Sequence, residues 1–144
     1  MIKKANINDV ETIASLAILM WKQHTIQDLI DEFSNIISTG KAQFFLKYYK
    51  DIPIGFAQCQ LRYDYVEGTK SQPVGYLEGI FIKKEYRNKG YAKELLSECE
   101  KWAQKQGCSE FASDCELSNL TGFNFHINMG FIETNRIICF TKQL

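Results

Sequence analysis

The chain has no excess of either charge: 17 lysines and arginines stand against 17 aspartates and glutamates. A general nucleic-acid binder carries a basic surplus, so that class drops out, although a balanced total can still hide a local acidic pocket. CxxC pairs are also missing. The five cysteines, Cys59, Cys99, Cys108, Cys115 and Cys139, are odd in number, and only His24 and His126 could join them as imidazole ligands. Neither zinc nor another metal is expected, and most of the cysteines read as reduced core residues. The N-terminal residues Met1 to Asn6 lack the apolar run of a signal peptide, and no stretch is long enough to span a bilayer. The chain therefore reads as cytoplasmic, with no membrane or nucleic-acid partner. Repeats, linkers and low-complexity segments are absent too, so residues 1–144 read as a single domain.

What the sequence does have is enough apolar material for a core without disulfides: 45% of its residues are hydrophobic and 13% are aromatic. Residues 2–5 read as a short strand. Asn8 or Asp9 is placed to cap a helix running to about His24, with Val10, Ile13, Ala17, Met20 and Trp21 at helical spacing. Thr25 and Asp28 suggest a capping box for a second helix, buried through Leu29, Ile30, Phe33, Ile36 and Ile37 and ended by Gly40. The period then shortens. Strands are expected at 43–49 and 54–63 around a turn at 50–53, and a third at 74–82 after a loop at 65–73. A strong amphipathic helix over 90–107 follows, then a short strand at 110–114, a helix over 119–129 stopped by Gly130, and final strands at 131–133 and 137–142. This alternation predicts an α/β fold: a mixed sheet with helices on its faces.

The segment from Leu77 to Ala92 carries the most chemistry. It reads as a strand, a basic glycine-containing turn, and a helix start. A helix N-terminus offers unpaired backbone N–H groups and roughly half a positive charge. Gly90 lets the backbone approach an anion closely, Ala92 leaves the first turn uncrowded, and Arg87 and Lys89 add cations. This combination suits a pyrophosphate; an ordinary solvated basic turn is the plain alternative. Neither GxxxxGK(S/T) nor GxGxxG occurs, which excludes a P-loop and a dinucleotide fingerprint.

Arg87-Asn88-Lys89-Gly90-Tyr91-Ala92 resembles the Gln/Arg-x-x-Gly-x-Gly/Ala motif of the GNAT N-acetyltransferases, and the order of elements is similar over nearly the whole chain. The resemblance implies the GNAT fold, a splayed mixed sheet with helices on both faces, and acetyl-CoA as co-substrate. It implies that residues 87–92 hold the pyrophosphate and that the backbone of Ile80-Phe81-Ile82 pairs with the pantetheine arm. It further places a strand splay near Gly79 to admit the thioester, and an amide contact to pantetheine at Asn119. Gly130-Phe131 matches the family's usual Gly-Phe. Many members carry a tyrosine four residues before that glycine as general acid; His126 stands there in this chain, and the acid stays unassigned.

Acetyl transfer needs a neutral amine, and deprotonating an alkyl ammonium at pH 7 costs about 4.6 kcal/mol. A carboxylate that orders the amine and receives its proton through water helps. Glu78 is the leading candidate, a carboxylate among Tyr76, Leu77, Gly79, Ile80 and Phe81; pairing with a nearby Lys or Arg, or a solvated face, is the alternative. Asp114, at a strand end, is the second catalytic candidate or a loop cap. Asp64, Glu67, Glu116 and Glu133 are further acidic residues.

The stretches 63–69, 73–81, 110–114 and 130–134 are similar, more specifically, to the aminoglycoside 6'-N-acetyltransferases. That resemblance implies substrate contacts at Trp21, Tyr65, Glu78 and Asp114, an aminoglycoside as acceptor, antibiotic resistance as the outcome, and a homodimer. Read from the residues alone, Tyr65 could be an idle loop aromatic and Trp21 plain core. Asn135 occupies a position where that family often has an acid, which weakens one expected contact. An acetyltransferase for polyamines or protein amines, and a non-catalytic acyl-CoA-binding module, are the competing readings.

Overall fold

The computed structural model describes all residues 1–144. Five strands form one sheet in the order β1 (Ile2–Lys4), β2 (Ala42–Tyr49), β3 (Ile52–Arg62), β4 (Val74–Ile82), β5 (Phe111–Ser113). The first four are antiparallel neighbours, while β5 runs parallel to β4, so the sheet is mixed. Helices α1 (Val10–Ala17) and α2 (Ile26–Thr39) cover one face, and α3 (Tyr91–Lys105) the other; α4 (Leu120–Asn128) flanks β5.

Strand alternation divides the core. Phe44, Leu46 and Phe56 point to α1 and α2, where Ile13, Leu29 and Phe33 meet them; Phe45, Ala57, Cys59 and Leu77 point to α3. Each fully buried phenylalanine contributes about 1.5–3 kcal/mol of apolar transfer. The α3 stripe Leu95, Leu96, Cys99, Trp102, Ala103 repeats every three to four residues and is buried throughout. Lys47 of β2 points the same way and is itself buried, pairing with Glu94 and lying 4.6 Å from the Tyr91 ring centroid. It fastens the first turn of α3 to the sheet.

The β2–β3 hairpin closes in two residues, Lys50 (φ 47°) and Asp51 (φ 65°). Positive φ at both positions matches the twist of the flanking strands. The expected four-residue turn is thus shorter: Ile52 and Pro53 already belong to β3.

Three further expectations are corrected. Asp9 does stand at the N-cap of α1 but makes no side-chain cap bond to it; the side-chain cap is one turn earlier, on the 3-10 turn Ile7–Asp9, and is made by Asn6. Its side chain accepts from Asn8 N at 2.9 Å, and Asp9 reaches back to Asn6 N at 2.9 Å, closing a box around a short 3-10 turn. The first helix stops at Ala17 rather than His24, because the chain turns at 18–20 to lay Trp21 against Phe33 and Phe56, with centroids at 6.3 and 5.9 Å. Neither segment expected as a closing strand is one: residues 131–144 contain no strand. Their apolar alternation suits a strand, but no edge of this chain pairs with them, and Ile132, Ile137, Ile138 and Phe140 are 85%, 71%, 80% and 87% exposed.

Candidate active site

The site is built around an interruption of the sheet. Strand β5 matches β4 only from Gly75–Phe111 to Leu77–Ser113. Past that point β4 runs on for five residues, Glu78 to Ile82, paired with β3 on one side and with no strand on the other. At the same place the β3–β4 register slips, Gln58 facing Gly79 while Cys59 faces Leu77, so Glu78 is the extra residue of a bulge. The splay expected near Gly79 therefore begins at Leu77. Side chains of the open stretch alternate, Phe81 toward the α1–α2 core and Ile80 and Ile82 toward α3, which leaves the backbone edge free.

Next to this edge lies the basic turn. Arg87 Nε donates to the Ile82 carbonyl at 2.7 Å, closing the strand end. Asn88 has φ 62° and Gly90, the cap of α3, has φ 83°. Left-handed residues at alternate positions of the turn direct backbone N–H groups to one side, and the fifteen-residue helix adds its positive end. A side chain at Gly90 would meet nothing within 4 Å, so open space faces this cradle. Lys89 and Arg87 are exposed beside it; Tyr91 and Ala92 form the first helical turn. Asn119 caps α4, its Oδ1 accepting from Gly122 N at 2.9 Å, which leaves Nδ2 as a donor. The geometry fits a diphosphate and an amide-bearing arm.

Beyond the bulge is a cluster of charged and polar side chains that composition hides. Arg62 Nε and Nη2 donate to Glu78 Oε1 at 3.1 and 2.8 Å, and Nη2 to Oε2 at 3.1 Å. The same guanidinium lies 3.4 Å over the Tyr76 ring, and the Tyr76 hydroxyl donates to Asp114. Two carboxylates, one cation and a phenol are thus in contact, with the Glu78 side chain only 20% exposed. Burial pushes the Glu78 carboxyl above the usual range, the Arg62 cation pulls it back, and the Asp114 charge adds to the rise. Burial, then the bond to Asp114, drives the Tyr76 phenol well above its ordinary value, so it stays a donor. Of the alternatives open for Glu78, the structure shows pairing with an arginine, Arg62.

Val66 packs with Tyr76 and Val74, which carries the 64–72 loop to the cleft rim. There Tyr65, 76% exposed, stands with Glu67, and Asn135 Nδ2 donates to Glu67 Oε1 at 3.1 Å. The Thr134 side chain fills the place where a Gly68 Cβ would stand, so Thr134 packs on this loop. Trp21 covers the opposite wall, its Cζ2 2.7 Å from the Cβ position of Gly79. Trp21 is half core and half wall. Sequence reasoning missed Arg62, Tyr76 and Ser113. Arg62 carried a signal, as the one charged residue of β3, directly before the acidic loop. His126 donates through Nδ1 to the Gly122 carbonyl at 2.6 Å and faces Ser113 Oγ through Nε2 at 2.7 Å.

The acetyltransferase (GNAT) family profile matches residues 10–131. An aminoglycoside N(6')-acetyltransferase type 1 of Serratia marcescens is 34% identical over 145 residues, covering 100% of this chain and 99% of its own. The solved structure of the aminoglycoside 6'-N-acetyltransferase AAC(6')-Ih from Acinetobacter baumannii superposes with a TM-score of 0.93 at 33% identity, covering 100% and 98% of the two chains. That of AAC(6')-Iy with a CoA-S-monomethyl-acetylneamine bisubstrate analogue gives 0.95 at 32% identity, covering 100% and 98%.

The site's charge balance is directly measurable. In a carbon-detected NMR titration the Glu78 carboxyl should titrate above the ordinary carboxylate range. Replacing Arg62 by Met should move its midpoint higher still, because the opposing cation is lost. An unchanged midpoint in a folded R62M protein would show that Arg62 does not control Glu78.

Proposed function

Because the chain belongs to the acetyltransferase (GNAT) family, we propose that it transfers the acetyl group of acetyl-CoA to the 6'-amino group of an aminoglycoside and so inactivates the antibiotic. The observation that carries this is the joining of two sites at one bulge: an open strand edge with an anion cradle on one side of Glu78, and a carboxylate cleft with aromatic walls on the other. The full-length similarity to aminoglycoside acetyltransferases supports the choice of acceptor. Residues 87–92 hold the pyrophosphate, the Ile80–Ile82 backbone and Asn119 Nδ2 hold the pantetheine arm, and a backbone N–H of the same edge polarises the thioester carbonyl. The amine attacks that carbonyl directly, with no covalent enzyme intermediate.

Glu78 and Asp114 order the acceptor. A polyammonium sugar rests its cations on these carboxylates and its rings on Trp21 and Tyr65, with Asn135 and Glu67 at the rim. One of the two carboxylates takes the first ammonium proton through water. Asn135 is already engaged with Glu67, so it contributes a neutral amide where an acid is common.

The tests use thiol release over a panel of amines. Kanamycin and tobramycin should be acetylated and peptides and spermidine barely. E78Q and D114N should each lower kcat/KM for the aminoglycoside at least about tenfold, the value of one charge-assisted contact, with acetyl-CoA affinity nearly unchanged. Preference for spermidine or peptides would retain the chemistry and reject the acceptor; tight acetyl-CoA binding without turnover on any amine would make the chain a binding module.

The exposed apolar end supports a homodimer. A run such as Ile137, Ile138 and Phe140 in the open is an interface more often than a surface. Sedimentation should find a dimer for the full chain and a monomer after removal of residues 137–144. A full-length monomer at micromolar concentration would reject the dimer.

A further inference from the structure

We propose that Ser113 and His126 form a proton relay at the mouth of the strand fork, carrying the acceptor amine's second proton to the departing thiolate. The proposal rests on the acetyl-transfer reading above and assigns a step that the cleft carboxylates leave unfilled. An alkyl ammonium loses one proton to become a nucleophile. Once the N–C bond has formed, the nitrogen must lose another, while the breaking C–S bond leaves a thiolate that needs one.

The tautomer is set by the surroundings. His126 Nδ1 lies 2.6 Å from the Gly122 carbonyl, which can only accept, so Nδ1 carries hydrogen. In the neutral ring Nε2 is then a bare acceptor, and it faces the Ser113 hydroxyl at 2.7 Å. Ser113 Oγ has a second, longer contact, 3.3 Å to the Leu77 carbonyl. Its single proton therefore rests on His126 when the ring is neutral and turns to Leu77, or to whatever lies in the fork, when the ring is protonated. Phe125 and Phe131 hold the imidazole nearly edge-on, with centroids at 5.5 and 5.1 Å. Ser113 is the last β5 residue in register with β4, opposite Leu77. The hydroxyl thus sits where pairing ends and the open edge begins, one residue before Asp114 of the acceptor cleft.

The step balances without any co-reactant. The amide-forming nitrogen gives its proton to Ser113 Oγ as the serine proton passes to Nε2. The imidazolium returns a proton to Oγ as the serine proton passes to sulfur. One proton moves from nitrogen to sulfur, and both residues end as they began. Ser113 is the catalytic residue here; His126 acts through it.

S113A removes one oxygen and little else, so it is the primary test. Acid–base transfer is worth about 10²–10⁴-fold, so kcat should fall roughly a hundredfold while the KM values for acetyl-CoA and kanamycin stay within about twofold, and S113T should recover much of the loss. H126A should be restored by added imidazole and not by pyrrole, a ring of the same size without a basic nitrogen. A readout independent of turnover is the ¹⁵N spectrum of the His126 ring. The wild type should show protonated Nδ1 and hydrogen-bonded Nε2, and S113A should move Nε2 toward the unbonded position. Retention of more than about a third of wild-type kcat by S113A, or rescue of H126A by pyrrole, overturns the relay alone. Absence of thiol release from the wild type on every aminoglycoside overturns the functional reading and the relay with it.

Discussion

Pairing between β4 and β5 ends at Leu77 and Ser113, and the position of every functional group follows from that ending. A strand edge inside a folded protein is costly to leave bare, because its N–H and C=O groups need partners. Here the five residues from Glu78 to Ile82 keep their edge, and the chain covers it with neither a strand nor a helix. The α3 cradle stands at one end of the gap and the Ser113–His126 pair at the other. A long, amide-bearing molecule with a diphosphate head satisfies the edge and the cradle at once. The structure is a sheet that lacks one extended neighbour, and acetyl-CoA has the chemistry to be that neighbour.

Electrostatics complete the division of labour. The chain is neutral in sum, yet its charges are sorted along the gap, cations around Gly90 and carboxylates around the bulge. Arg62 is the instructive exception. By binding both oxygens of Glu78 and stacking on Tyr76, it opposes the rise that burial imposes on that carboxyl and aims it, while the Tyr76 hydroxyl donates to Asp114. A buried acid without such partners would take up a proton and lose its attraction for an ammonium group. The four side chains are therefore fixed by one another in the absence of any ligand, the kind of preorganisation that electrostatic recognition requires.

Much of this was legible in the sequence, for identifiable reasons. The α3 stripe and the hairpin strands carry a strong local period, and the basic turn carries a glycine, Gly90, where φ is 83°. What escaped was set by tertiary contacts. Helix α1 ends early because Trp21 is drawn across to Phe33 and Phe56, a pull that no periodicity reports. Residues 137–142 alternate like a strand, but a strand is a property of a pair, and this chain holds no partner for them. Arg62 and Glu78 are sixteen residues apart and meet only through the β3–β4 register. Ser113 and His126 come from adjacent elements, yet a serine in a three-residue strand carries no signal until the histidine's ring nitrogens are placed.

If the acyl donor occupies the open edge of β4, amide hydrogen exchange followed residue by residue with and without acetyl-CoA should reveal it. Exchange should slow only at the edge-facing amides of Gly79 to Lys83 and in the turn from Asn88 to Ala92, with β2 and the β2–β3 hairpin unaffected. Slowed exchange elsewhere in the chain, with those two segments exchanging as they do in the free protein, would contradict it.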